Sequence, residues 1–190
     1  MNAGRLTYWQ FKLQAMGNLL VGRRDAAHAR FGSMLSAWPN DPYALASRAH
    51  LNSQMGRPEA ALADAQALTA AHPARSAGDW FNLAFLLDLA GRVDEAEPAF
   101  RRALALDAKL DRAWYGLGLV LIRLRRFDEA VAALKRNTEL QPMSPYGWYQ
   151  LARLQVDRQD PDEARRIIGH LKGFEPKFAA QLERETGLRA

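Results

Sequence analysis

Apolar residues recur along the chain at the spacing of a helix face. In residues 111–144, Trp114, Leu117, Gly118 and Leu121 stand at i, i+3, i+4 and i+7, one side of a 3.6-residue period. A second stretch puts Ala130, Leu134 and Asn137 on one side, behind Asp128 and Glu129. Arg125-Arg126 breaks the pattern between the two stretches, and Pro142 stops the second. This predicts a pair of helices joined by a short turn. Carboxylates in the first turn of one and arginines at the end of the other complement the helix dipole. Pro58 and Pro161 fall at helix starts, where a missing N–H costs nothing. Asp41-Pro42 and Ser144-Pro145 read as a cap followed by a first-turn proline. Gly118 predicts a close helix–helix approach, and Pro98, a few residues into a helix, predicts a slight bend.

The pattern then repeats. Trp80, Trp114 and Trp148 are 34 residues apart. Each is followed at three by a leucine (Leu83, Leu117, Leu151) and at four by a small residue (Ala84, Gly118, Ala152). Asp-Glu-Ala returns at 94–96, 128–130 and 162–164, and Pro142 and Pro176 share a late position held earlier by Ala108. Run backwards, the register finds Leu45, Ala49, Ala61 and Pro73, and more loosely Phe11, Ala15, Ala27, Phe31 and Pro39. The windows are 8–41 (degenerate), 42–76, 77–110, 111–144 and 145–178, with 1–7 as a lead and 179–190 as a tail. A fixed period of this length is the signature of stacked helix pairs, each burying its neighbour's apolar face. The outer sides of the terminal units should be polar. A final helix beginning near Lys177, with Phe178 and Leu182 on its narrow apolar edge, should cap the last window.

These residues resemble the tetratricopeptide repeat family, whose motif runs Trp-x2-Leu-Gly-x2-Tyr, then Ala-x3-Phe, Ala-x3 and Pro. The resemblance covers 8–178 and is most specific over 77–178. The motif's Tyr is Leu87, Leu121 and Gln155 here, and its Phe is Phe100, Leu134 and Ile168, mostly apolar exchanges. The Trp–Leu–small–Ala–Pro order speaks against the pentatricopeptide arrays that read RNA. The resemblance implies an all-α fold, a single right-handed solenoid of antiparallel helix pairs. It also implies that a peptide or amphipathic helix of another protein binds in a concave groove lined by the first helices. Carried over by register, the groove positions include Tyr43, Ala46, His50, Ser53 and Gln54 in the window 42–76. The partner-binding candidates are Phe81, Phe85 and Leu89; Arg112, Tyr115, Leu119, Ile122 and Arg123; and Tyr146, Tyr149 and Arg153. Phe81, Phe85 and Leu89, with Tyr115, Leu119 and Ile122, make a second apolar stripe beside the core stripe, and an exposed patch of that kind marks a binding site. The arginines would orient a partner and favour an acidic one. The carboxylate clamp of chaperone-tail receptors is incomplete. Asn82 and Arg112 match it, but Ala46, His50 and Gly116 do not. Two alternatives stand beside peptide binding: a groove filled by the chain's own tail or by a second copy in a homodimer, and RNA binding through arginine-rich faces.

Composition agrees with helices: of 190 residues, 34 are Ala and 27 Leu, against 12 Val, Ile and Thr together. The net charge of +5 is spread among alternating Arg, Asp and Glu, without the basic face that nucleic acid would require. The lack of cysteine excludes disulfides, thiolate metal sites and thiol nucleophiles. His28, His50, His72 and His170 lie in different windows, and none has a metal-binding partner at the right spacing. Gly116-Leu117-Gly118 lies within a helix, so it is no dinucleotide loop, and neither a phosphate loop nor a nucleophile elbow occurs. The repeated Asp-Glu pairs fit three helix starts better than one active site. No catalytic residue, cofactor or metal is expected, and the chain reads as a non-enzyme. The apolar run from Leu117 ends at Arg123, far short of a membrane span, and the first ten residues lack the basic start and apolar run of a secretory signal, so a cytoplasmic location is expected.

Overall fold

The structure is a computed structural model and describes residues 3–190. Among these residues there are eleven helices and no strand. They are α1 (Ala3–Leu20), α2 (Arg24–Ala37), α3 (Pro42–Gln54), α4 (Pro58–Ala71), α5 (Ala77–Leu89), α6 (Val93–Leu106), α7 (Asp111–Arg123), α8 (Phe127–Leu140), α9 (Pro145–Asp157), α10 (Pro161–Lys172) and α11 (Pro176–Thr186). Residues 3–7 of the lead are the start of α1; its first two residues lie outside the described ones. The chain divides into two compact units, Met1–Gly91 and Arg92–Ala190. In the first, α1 packs on α2, α2 on α3, α3 on α4 and α4 on α5. In the second the same succession runs from α6 to α11, and α9 also touches α7 and α11.

Local chemistry sets the helix starts. Asp41 caps α3, its carboxylate accepting from the Ala44 N–H at 2.7 Å, with Pro42 in the first turn. Ser76 caps α5 and Asp160 caps α10 in the same way. Ser144 precedes Pro145 as the sequence suggested, yet its side chain makes no capping bond. The repeated tryptophan has a polar role besides its apolar one. The indole N–H of Trp80 donates to the Pro73 carbonyl at 2.8 Å, that of Trp114 to Ala108 at 2.9 Å and that of Trp148 to Pro142 at 2.9 Å. Each pins a first helix to the loop before it. This links the Trp and Pro positions of the repeat through the backbone, which explains why Ala108 can stand in for proline.

The turn inside each pair contains one left-handed residue. Gly22, Gly56 and Gly91 hold it at φ 73°, 68° and 73°, but the same register position is Arg125 (φ 58°) and Gln159 (φ 62°) in the second unit. A side chain there costs about 1 kcal/mol relative to glycine. Gln159→Gly should therefore raise stability by about that amount, and Gly56→Gln should lower it similarly, read as opposite shifts in thermal melting.

Ion pairs line the second helices of the Arg92–Ala190 unit. Glu97 pairs with Arg101, Arg101 with Glu129 at 2.7 Å, and Glu129 with Arg126 at 2.7 Å. The Arg126 hydrogen bond holds the Glu129 carboxyl below its usual value of 4.5, and Arg92 and Arg166 do the same for Glu95 and Glu163. Each depressed carboxyl stabilises the fold above its unfolded value, and that contribution disappears as pH falls through the folded value. The melting temperature should hold steady down to about pH 5 and fall progressively below about pH 4.5, and high salt should shrink the difference because these pairs are exposed.

The two ends of the chain differ. At α11, Ala179 and Leu182 are fully buried against the preceding helices while Arg184 and Glu185 are exposed. At α1 the expectation of a polar outer side fails, because Leu6, Trp9, Leu13, Met16 and Leu20 are all exposed.

Candidate functional site

The Met1–Gly91 unit contains a cavity of about 280 Å³ between α3, α4 and α5. Helix α3 lines it with Ala46, Ala49, His50 and Ser53, which share one face at i, i+3, i+4 and i+7. Helix α5 supplies Asp79, Asn82, Phe85 and Leu86, and α4 closes the floor with Ala65 and Leu68. Three alanines leave the room that larger side chains would fill. The walls are apolar with a few polar groups, the composition of a small ligand pocket. Asp79 is fixed by Arg75, whose Nη1 donates to both carboxylate oxygens at 2.9 and 2.8 Å. His50 Nε2 lies 2.9 Å from the Gln54 amide nitrogen. Phe85 is 46% exposed at the rim and stacks on Phe81, the ring centroids 6.3 Å apart.

Of the groove positions carried over by register, the structure gathers Ala46, His50, Ser53 and Phe85 around this cavity. Leu89, 65% exposed, lies one turn beyond Phe85 and outside the lining. Tyr43 is engaged elsewhere, edge-on to Phe31 and with the Lys12 ammonium 4.0 Å above its ring. Asn82 joins the lining from a position where only the chaperone-tail clamp had pointed. The floor residues Ala65 and Leu68 were missed, since no rule applied to the sequence assigns second helices to the groove.

In the Arg92–Ala190 unit, α7 presents Tyr115, Leu119 and Ile122 half-buried, with Arg112 and Arg123 exposed. Gly116 is backed by Phe100, and a Cβ there would come within 2.4 Å of the ring. On α9, Tyr146 and Tyr149 are covered in part by the chain's own last helix. Phe178 meets them edge-on at 5.7 and 6.1 Å. The Tyr149 hydroxyl donates to Glu185 at 2.5 Å and accepts from Gln181 at 3.2 Å. Burial, and then Glu185, push its pKa up, so it stays a neutral donor. The Arg153 guanidinium stands 5.9 Å above the Tyr149 ring. Among the described residues no group of three or more His, Asp or Glu is placed to hold a metal ion, and no helix is long and apolar enough to cross a membrane.

Comparison with known proteins bears on the fold. The chain resembles the crystal structure of MamA protein with a TM-score of 0.82 at 20% identity, over 95% of this chain and 94% of that one. It resembles YrrB, described as a TPR protein with an unusual peptide-binding site, with a TM-score of 0.81 at 16% identity, over 90% and 88%. A tetratricopeptide repeat protein from Parabacteroides merdae ATCC 43184 gives a TM-score of 0.82 at 19% identity, over 96% and 74%. No curated protein matches the sequence significantly. Family models described as tetratricopeptide repeat match residues 46–111, 90–145 and 145–169. With the period, the helix pairs and the tryptophan–loop bonds, these matches decide the family: the chain belongs to the tetratricopeptide repeat proteins.

Proposed function

We propose that this protein is a non-enzymatic interaction module that holds an apolar or amphipathic segment of another protein, with an apolar side chain of that segment seated in the α3–α4–α5 cavity. The cavity carries the reading: an apolar-walled recess beside an exposed Phe85 that stacks on the half-buried Phe81, with the exposed Asn82 amide at the wall to hydrogen-bond a bound backbone. Phe81 and Leu89 extend the contact area along α5; separately, within the Arg92–Ala190 unit, Tyr115, Leu119 and Ile122 form an apolar surface of their own on α7. On the Arg92–Ala190 unit, Arg112, Arg123 and Arg153 would favour an acidic partner at that surface. The fold it shares with YrrB, itself described as having a peptide-binding site, supports a peptide as the ligand class.

Peptides selected from a random library on the wild-type protein provide the test. Phe85→Glu places a charge at the rim of the cavity and should weaken their binding by about tenfold or more, with helicity unchanged by circular dichroism. Equal affinities for wild type and variant would overturn the reading. A second reading, a groove filled by the chain itself, is favoured at one place: Phe178, Gln181 and Glu185 of α11 engage Tyr146 and Tyr149. On that reading α9 contributes little to peptide contact, and binding concentrates on α3 and α5.

A further inference from the structure

The described part of α1 leaves six large apolar side chains open, Leu19 at 40% among them, and the other five form one stripe: Leu6, Trp9, Leu13, Met16 and Leu20, exposed by 50, 49, 62, 48 and 89%. Their spacings are 3, 4, 3 and 4, the a and d positions of a two-stranded coiled coil. The opposite side of the helix is already used, with Ala15 in the core and Tyr8 and Phe11 packed against it. A helix that is apolar on two sides is ordinarily buried on both. A membrane surface fits poorly, because an interfacial helix keeps a polar face towards water and α1 has its other face in protein.

We propose that the occupant of this stripe is a second copy of the chain, with the two α1 helices packed in parallel about a two-fold axis. The pattern is self-matching, since identical registers set Leu on Leu at each a position and Trp9 and Met16 on their own copies at d. The flanking charges permit it. No acidic residue occurs in α1, and its cations Arg5 and Lys12 occupy g positions. In a parallel pair they would face the second copy's Gln10 and Gly17, so no like charges meet, whereas an antiparallel pair would set Lys12 against itself. Gly17 has open space around it, so nothing on its own chain blocks the approach. At about 200 Å² for an aromatic side chain and less for Leu or Met, complete covering of the five exposed portions would supply at most about 600 Å² per copy. A pair then reaches at most about 1,200 Å², the lower bound of specific interfaces, before the flanking residues are counted. This inference is independent of the α3–α4–α5 cavity.

The test is the mass in solution, followed by light scattering or sedimentation up to about 100 µM, well above the micromolar Kd of a weak dimer. The full chain should show twice 21.3 kDa. Leu13→Glu combined with Leu20→Glu should return it to 21.3 kDa with helicity intact, raising the dissociation constant on the order of a hundredfold or more by forcing unpaired carboxylates into the seam. Phe85→Glu, in the cavity, should leave the dimer unchanged. Because the chain contains no cysteine, Leu6→Cys should give a covalent dimer on oxidation, which only a parallel register allows. A monomer throughout, a dimer that survives the seam substitutions, a dimer lost with Phe85→Glu, or a Leu6→Cys variant that does not cross-link would each overturn the proposal.

Discussion

Phe100→Ala is expected to destabilise the protein by about 3–5 kcal/mol. Phe100 is 1% exposed on α6, and its ring presses on α7 where Gly116 has no side chain. Truncation leaves a hole that the helices cannot close without shifting. The reciprocal change should also hurt, because a Cβ at 116 would stand 2.4 Å from the ring. Ring and glycine are therefore one packing unit. Phe100→Leu combined with Gly116→Ala should cost less than the sum of the two single changes, a coupling readable in denaturant unfolding of the four proteins. Strict additivity would mean that the ring does not set the spacing of the two helices. Leu134 and Gly118 repeat the device on the other side of α7, where an added Cβ would lie 2.8 Å from Leu134 Cγ. Helix α7 is gripped from both sides by second-helix side chains set into glycine gaps.

Asp64→Ala is the second large effect, expected at about 2–4 kcal/mol. Asp64 is 5% exposed on α4 and accepts from Arg48 Nε at 2.8 Å, Arg48 Nη2 at 2.6 Å and Asn52 Nδ2 at 3.1 Å. Its removal strands a guanidinium and an amide. Asn52, 1% exposed, cannot reach water, while the Arg48 side chain, 26% exposed, partly can, which keeps the cost below that of a fully buried charge. The pair holds α3 to α4, and the Asp64 hydrogen bond raises the Arg48 pKa further. Exchanging both partners for apolar residues, Arg48→Met with Asp64→Leu, should recover most of the loss. A melting temperature unchanged by Asp64→Ala would show that the network is incidental to stability.

The sequence disclosed what depends on local chemistry and on the period. Asp41-Pro42, Pro58 and Pro161 marked helix starts because a cap acceptor or a missing N–H acts within one turn. The 34-residue register placed Ala46, His50, Ser53 and Phe85 on first helices, and packing brought those four to one cavity. What stayed hidden depends on tertiary context. The left-handed turns at Arg125 and Gln159 bear no glycine to announce them, although Gly22, Gly56 and Gly91 occupy the same register position. Asp64 reads in sequence as one more solvated charge, and only its contact with α3 makes it structural. The capping helix with Phe178 on its apolar edge was legible, but that its ring meets Tyr146 and Tyr149, two groove positions, depends on how α11 packs on α9. The residues of the α1 stripe stand at 3–4 spacing in the sequence, but only the packing of the unit shows that this side of the helix stays uncovered.

Backbone amide mapping tests binding in the cavity most directly. A peptide selected on the wild-type protein is titrated into the isotope-labelled full chain, and shift changes are assigned along the helices. The largest changes should fall on Ala46, Ala49, His50 and Ser53 of α3 and on Asn82 and Phe85 of α5. A peptide that binds while these residues keep their free-state shifts, its effects confined to other helices, would contradict the assignment of the site.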